Sequence, residues 1–219
     1  AQDEFAIRSL TRAKKAIEDG SFDAEVTPVT YKNRQGDVTV EQDEQPLTAN
    51  LEKIPKLRPA FDKDGTVTAA NSSSISDGAA ALVMMRESTA KKRGLKPIAR
   101  FLGQSSFAQE PAWFTTAPVS AIRNLLETLG WNADEVDLFE INEAFAVVTM
   151  AAMKDLDLPA DKVNVHGGAC ALGHPVGASG TRILVTLISA LQKYGKTRGV
   201  ASLCIGGGEA TAMAVEVLS

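Results

Sequence analysis

The sequence predicts a layered α/β fold. Three observations carry this. Strand and helix signals alternate from about residue 97 onward. The segments between the strands repeat apolar residues at helical spacing. Two β-rich runs then close the chain around Gly206-Gly207-Gly208, as a hairpin would.

The elements follow in order. Residues 4–19 read as a helix, because Ala6, Leu10, Ala13 and Ile17 share a face and Gly20 follows as a stop. Residues 21–64 read as mostly irregular, broken by Pro28, Pro46, Pro55 and Pro59. Two short strands, near 26–32 and 37–41, flank Gln35-Gly36 within that stretch. A long irregular segment in a compact chain usually has a use, such as covering a ligand. Residues 76–93, opening Ser76-Asp77-Gly78-Ala79-Ala80-Ala81, read as a helix ended by Gly94, and residues 97–104 as a strand. Pro118 opens a helix with Val119, Ile122, Leu125 and Leu129 on one face, stopped by Gly130. A short strand over 137–141, a helix over 143–156 and a long apolar helix over 178–193 come next. The strands over 198–205 and 210–217 complete the pattern.

Composition narrows the function. The 219 residues suit one large domain or two small ones, and 44% apolar with 23% charged side chains is ordinary for a soluble chain. A net charge of −4, from 23 basic and 27 acidic side chains, argues against a generally basic nucleic-acid binder. No apolar run approaches the ~18 residues of a spanning helix, so no membrane partner is expected. The opening AQDEFAIRSL reads as neither a signal peptide nor a start site. Two cysteines make no disulfide framework. The first 64 residues hold 23 of the charged side chains and read as a surface layer; the remainder reads as a core-forming unit.

The scarcest residues crowd together. Both His and both Cys lie between His166 and Cys204, where glycine also clusters. The run from Gly167 to Gly180 places His174 on a turn with little side-chain bulk around it. A His so placed can exchange protons or donate to a developing oxyanion. The same residues also read as a structural turn, or loosely as a phosphate loop without its Gly-Lys-Ser/Thr ending. Cys204 ends a strand beside three glycines whose amides could bind an anionic oxygen. A thiol with its pKa drawn down from ~8.5 can be a base or a nucleophile, and a buried strand Cys is the plain alternative. Asn142 stands where a strand gives way to a helix and can donate an amide to an oxygen, hold a water, or simply cap the helix. Glu143 reads as a helix-start carboxylate favoured by the dipole.

Taken together these blocks resemble the thiolase family. Asn142-Glu143-Ala144-Phe145, Gly173-His174-Pro175-x-Gly177-x-Ser179-Gly180 and Cys204-x-Gly206-Gly207-Gly208 occur in this order, with Asn142, His174 and Cys204 lying 32 and then 30 residues apart. Gln2-Asp3-Glu4-Phe5-Ala6, Lys56-Leu57-Arg58-Pro59-Ala60-Phe61 and Ser76-Asp77-Gly78-Ala79-Ala80-Ala81 also look like blocks of that family. The resemblance implies a layered α-β-α-β-α fold, here its second half plus part of the loop domain. Residues 1–75 resemble the later part of the loop domain, 76–95 the end of the N-terminal half and 96–219 the C-terminal domain.

The resemblance also implies a chemistry, a reversible thioester Claisen condensation on coenzyme A thioesters, with no metal and no further cofactor. The family's nucleophilic cysteine lies in the first half, and neither Cys170 nor Cys204 matches it. The chain is therefore expected to be a fragment that needs that upstream half as a partner and exposes apolar surface without it. The position of His174 activates the nucleophile, Cys204 moves the α-proton, and Asn142 holds a water that shares an oxyanion hole with His174. The Gly206 amide is one donor of a second hole. Ser73, Phe61, Ala69, Ala144 and Phe145 match coenzyme A contacts, and Phe114 a wall near the acyl group. Gln45-Pro46-Leu47 and Lys53 depart from the pattern at the nucleotide end, while His166 and Cys170 read as structural. The tract 110–118 looks most like short-chain members of acetyl-CoA acetyltransferase type. The alternatives are a 3-ketoacyl-CoA thiolase of fatty-acid β-oxidation and a non-catalytic thiolase-like module. A cytoplasmic homo-oligomer, dimer or tetramer, is implied in the same way.

Overall fold

The computed structural model describes residues 1–218. Helix α1 (Gln2–Glu18) buries Phe5, Ala6, Leu10, Ala13 and Ala16 along one stripe, as the sequence spacing requires. An exposed hairpin follows, with β1 (Val29–Asn33) antiparallel to β2 (Gly36–Val40) and Val29 opposite Val40. The stretch expected to be irregular then folds locally. A one-turn helix α2 (Glu44–Thr48) buries Pro46, and a 3-10 turn over Leu51–Lys56 buries Ile54 against Leu10 and Ala13 of α1. Asn50 caps that turn by accepting from the Glu52 amide at 3.1 Å.

The predicted helix over 76–93 does not form. Only α3 (Glu87–Lys92) is helical, and residues 75–86 belong to no helix or strand. The reason is tertiary. The segment lies against the later glycine-rich turn, where a Cβ on Gly78 would come within 2.8 Å of Pro175. Its apolar side chains have no core to enter, and Val83 is 88% exposed.

The main body is one mixed sheet. It comprises β3 (Ala99–Ala108), β4 (Leu138–Ile141), β5 (Arg198–Ile205) and β6 (Glu209–Val217), in the order β3-β6-β5-β4. The hairpin β5–β6 and the pair β3–β6 are antiparallel, whereas β4 runs parallel to β5. The connection from β4 to β5 carries α5 (Ala146–Asp155), α6 (Ala169–Leu172) and α7 (Ser179–Lys193), and α4 (Ala117–Leu129) precedes β4. Both sheet faces are covered. Phe139, Ile141, Val200, Ala212 and Ala214 pack under Ile122 and Leu125 of α4. Leu138, Ala201 and Val215 pack under Ile183, Leu187 and Leu191 of α7. Alternate strand residues therefore feed opposite cores, which is how a two-sided sheet buries apolar area on each face.

Helix α5 starts three residues later than the pattern suggests. Asn142, Glu143, Ala144 and Phe145 form an irregular bend instead, because the Glu143 side chain is drawn into the interior by distant partners described below.

Candidate active site

The parallel pair sets the position of the site. In open α/β sheets, ligands bind beyond the carboxyl ends of parallel strands. Asn142 follows β4 directly, and its amide donates to the Ser202 carbonyl of β5 at 2.9 Å. Cys204 lies two residues further along β5. It packs against Ala144 and Phe145 of the Asn142 bend, Val148 of α5, and Phe114 from the segment before α4. Burial pushes the Cys204 thiol up to about 11, against the lowering that a base or nucleophile at rest would need. Gly206, at the start of the hairpin turn, has open space where a side chain would be.

The second wall is the turn bearing His174. Gly173 has φ of 84° and faces Ser76 so closely that a Cβ would collide with the Ser76 hydroxyl. The His174 amide donates to the Ser74 carbonyl at 3.0 Å, anchoring the turn to the segment around Ser73. The ring is held at both nitrogens. Nδ1 meets Ser179 Oγ at 2.5 Å, and that hydroxyl donates its own proton to the Pro175 carbonyl at 3.0 Å. With its single proton committed there, the hydroxyl accepts from Nδ1–H, which leaves Nε2 with a lone pair. Nε2 then accepts from Asn142 Nδ2 at 3.4 Å. Burial first, and the charge of Arg182 second, lower the imidazole pKa, which favours this neutral form. Asn142 itself is buried, and its Oδ1 has no hydrogen-bond partner among the described residues.

Glu143 is the residue that sequence reasoning placed wrongly. It is not a helix-start carboxylate, since α5 begins only at Ala146, but a buried hub. Ser9 Oγ donates to it at 2.7 Å, Asn164 Nδ2 at 2.8 Å and the Cys170 amide at 3.1 Å. The Gly168 amide completes the circuit by donating to Ser9 Oγ at 2.9 Å, and a Cβ on Gly168 would lie within 2.8 Å of the Glu143 carboxylate. Burial raises the Glu143 pKa against these hydrogen bonds. One carboxylate thus ties α1, the Asn142 bend and the glycine-rich turn together. Ser179 was also left without a role, although it stands five residues after His174 at the start of α7.

The remaining predicted residues fall around this pair of walls. Phe145 takes Phe61 edge-on at 6.1 Å between centroids and Phe114 at 6.3 Å, so the three rings line one side; Phe61 is 77% exposed. Ser73 donates both its amide and its hydroxyl to the Ala144 carbonyl at 3.0 Å. Ala69 lines a neighbouring cavity of about 270 Å³ with Lys53, Asn50, Gln45 and Cys170. His166 and Cys170 are buried away from the cleft. His166 Nε2 faces the Tyr194 hydroxyl at 3.1 Å, and burial lowers its pKa to about 4. The Cys170 thiol is pushed well above its usual value by burial and by Glu143.

With this geometry in view, sequence profiles of known families settle the kinship. The profile of the thiolase C-terminal domain matches residues 95–217, and that of the thiolase N-terminal domain matches residues 1–88. The chain belongs to the thiolase family. It is similar to the cytosolic acetyl-CoA acetyltransferase of Mus musculus, 50% identical over 99% of this chain and 55% of the mouse protein. It is also similar in structure to the Bacillus anthracis acetyl-CoA acetyltransferase, with a TM-score of 0.96 and 48% identity over 99% of this chain and 55% of that one. The Acat5 thiolase of Ascaris suum, solved in complex with coenzyme A, superposes with a TM-score of 0.89 at 42% identity over 99% of this chain and 55% of its own. The chain spans about half the length of the curated relatives it matches. This thiolase fold carries no described helix long and apolar enough to cross a membrane.

Proposed function

We propose that the chain supplies the His174–Cys204 half of a thiolase site of acetyl-CoA acetyltransferase type. An upstream thiolase half supplies the nucleophilic cysteine. The observation that carries the reading is the contact of His174 Nε2 with Asn142 Nδ2 at 3.4 Å, made by an Asn142 whose backbone is bonded to Ser202, two residues before Cys204 on β5. The coenzyme A complex of the Ascaris relative supports acyl-CoA as the substrate class. The segment 75–86, which belongs to no helix or strand and exposes Ile75, Val83, Met84 and Met85, supports the partner, because exposed apolar side chains grouped in this way suit a surface that a partner covers.

In the thiolysis direction the steps balance as follows. His174 Nε2 takes the proton of the upstream cysteine, whose sulfur attacks the ketone carbon of acetoacetyl-CoA. The Gly206 amide donates to the oxyanion formed there. The bond to the α-carbon breaks, and the electrons pass to the enolate oxygen of acetyl-CoA. That oxygen is met by the His174 N–H and by a water held on Asn142. Cys204 S–H protonates the α-carbon, and acetyl-CoA leaves. The Cys204 thiolate next takes the proton of a free coenzyme A thiol, whose sulfur attacks the acyl carbon and displaces the upstream cysteine thiolate. A second acetyl-CoA forms, and the cysteine takes its proton back from His174.

The raised thiol pKa suits this direction, because Cys204 starts as the acid. Ser73, Phe61, Ala69, Ala144, Phe145 and Phe114 would line the pantetheine and acyl path. The mouse relative's cytosolic name supports a cytoplasmic location, and a dimer or tetramer goes with the reading. The test is to assemble the chain with the upstream half of the mouse relative and assay acetoacetyl-CoA thiolysis. Turnover is expected; a well-folded assembly with none would leave the non-catalytic module as the better reading.

A further inference from the structure

The residues that aim His174 include one that the mechanism does not use. Gln45 sits half-buried on α2, more than a hundred residues before the turn. Its Nε2 donates to the Cys170 carbonyl at 2.8 Å, and its Oε1 accepts from Ser74 Oγ at 2.8 Å. A carbonyl only accepts, so the amide's orientation is determined by the Cys170 contact. Cys170 lies in α6, four residues before His174, and its carbonyl belongs to a helical turn too short to satisfy its own C-terminal acceptors. Ser74 is the residue whose carbonyl receives the His174 amide at 3.0 Å. Its hydroxyl also meets Ser76 Oγ at 3.1 Å, and Ser76 abuts Gly173.

Resting on the thiolase reading above, we infer that Gln45 is a positioning residue for His174. Its carboxamide clasps the α6 end of the glycine-rich turn, four residues before His174, to Ser74, the residue whose carbonyl receives the His174 amide. The ring contacts at Ser179 and Asn142 orient the imidazole about its own bonds. The Gln45 clasp locates the backbone that carries it. Without the clasp, the Cys170 carbonyl and the Ser74 hydroxyl lose their shared partner and the two loops are free to part. Sub-ångström placement of a proton-transfer group strongly affects turnover. Ground-state binding along the Phe61–Phe145 side would be left largely intact.

The experiment uses the assembly with the upstream half, and the chain itself. Gln45→Ala is expected to lower kcat about 10-fold while KM stays within about 2-fold. Gln45→Glu keeps the size and tests the donor. Protonated, its carboxyl donates to the Cys170 carbonyl as the amide does; ionised, it sets two acceptors face to face. The ratio of Gln45→Glu to wild-type kcat should therefore rise as pH falls, a trend that a purely space-filling role would not produce. Because the chain holds only two histidines, imidazole nitrogen resonances of the labelled chain give a readout independent of turnover. Gln45→Ala should shift the His174 signals and leave those of His166 in place. Unchanged kcat in both variants, or a rise in KM instead, would overturn the inference. If the wild-type assembly is inactive, the functional reading fails by itself. The imidazole spectra then decide the clasp alone, and an unmoved His174 rejects it.

Discussion

The glycine-rich turn around His174 and the hairpin tip after Cys204 look alike in sequence, yet they are built on different principles. The turn is held by polar groups from distant parts of the chain: Ser9 and Asn164 through Glu143, Gln45 through Cys170, and Ser74 through the His174 amide. The tip is held by the β5–β6 ladder and by apolar contacts to Ala144, Phe114 and Phe145. Glycine at 168 and 173 makes room for neighbours that already fill the space, whereas glycine at 206 leaves space open. A fixed imidazole tautomer needs directional contacts. A thiol kept protonated needs a dry wall, and open amides need nothing over them. The two halves of the site thus use polar satisfaction and desolvation in turn.

The comparison can be broken most forcefully at the tip. In the complete assembly, Cys204→Ala should lower condensation by about 10³-fold, the scale of a lost general acid–base group. The fold should be unchanged, and acylation of the upstream cysteine should remain visible by mass spectrometry. An unaltered condensation rate would remove Cys204 from the proton path.

A smaller effect should follow from the turn's hub. Glu143→Ala strips the acceptor from Ser9, Asn164 and the Cys170 amide. It should cost about 3 kcal/mol of stability, from several orphaned buried donors. Urea unfolding measures this. A loss well under about 1 kcal/mol would mean that the polar circuit is not what holds the turn.

The smallest expected effect is a pH slope at the foot of the same turn. The folded pKa of His166 is lowered from 6.5 to about 4 by burial. Its contribution is whole above pH 6.5 and is lost as pH falls toward 4, because the unfolded state takes up the proton first. His166→Phe should flatten the stability profile across that window, read by thermal unfolding at several pH values. An identical slope in the variant would place the acid sensitivity elsewhere, for instance at other buried groups.

Legibility from sequence divides along the same line. Helix α4 was read closely because its apolar stripe and its Pro and Gly boundaries are local properties. The closing hairpin was readable for a similar reason, with glycines between two β-rich runs. The run 76–93 was misread because Ala-rich and Met-rich sequence satisfies helix and strand patterns equally. What decides it is the neighbour it lies against. Glu143 was misread because its partner Ser9 is 134 residues away, and no local window contains that contact. Likewise the raised pKa of the Cys204 thiol follows from burial among Ala144, Val148, Phe114 and Phe145, none of which adjoins it in sequence.

By itself, the sequence determined the order of the main sheet strands and of the helices α4, α5 and α7 between them, the spacing of Asn142, His174 and Cys204, and through their motifs the thiolase kinship. Those properties depend on backbone geometry and on residue order. Tertiary structure decided which nitrogen of His174 is bare, that Cys204 is protonated, and that Glu143 and Gln45 serve the turn. Protonation and orientation are set by burial and by hydrogen-bond partners, and the partners here come from chain segments that only folding brings together.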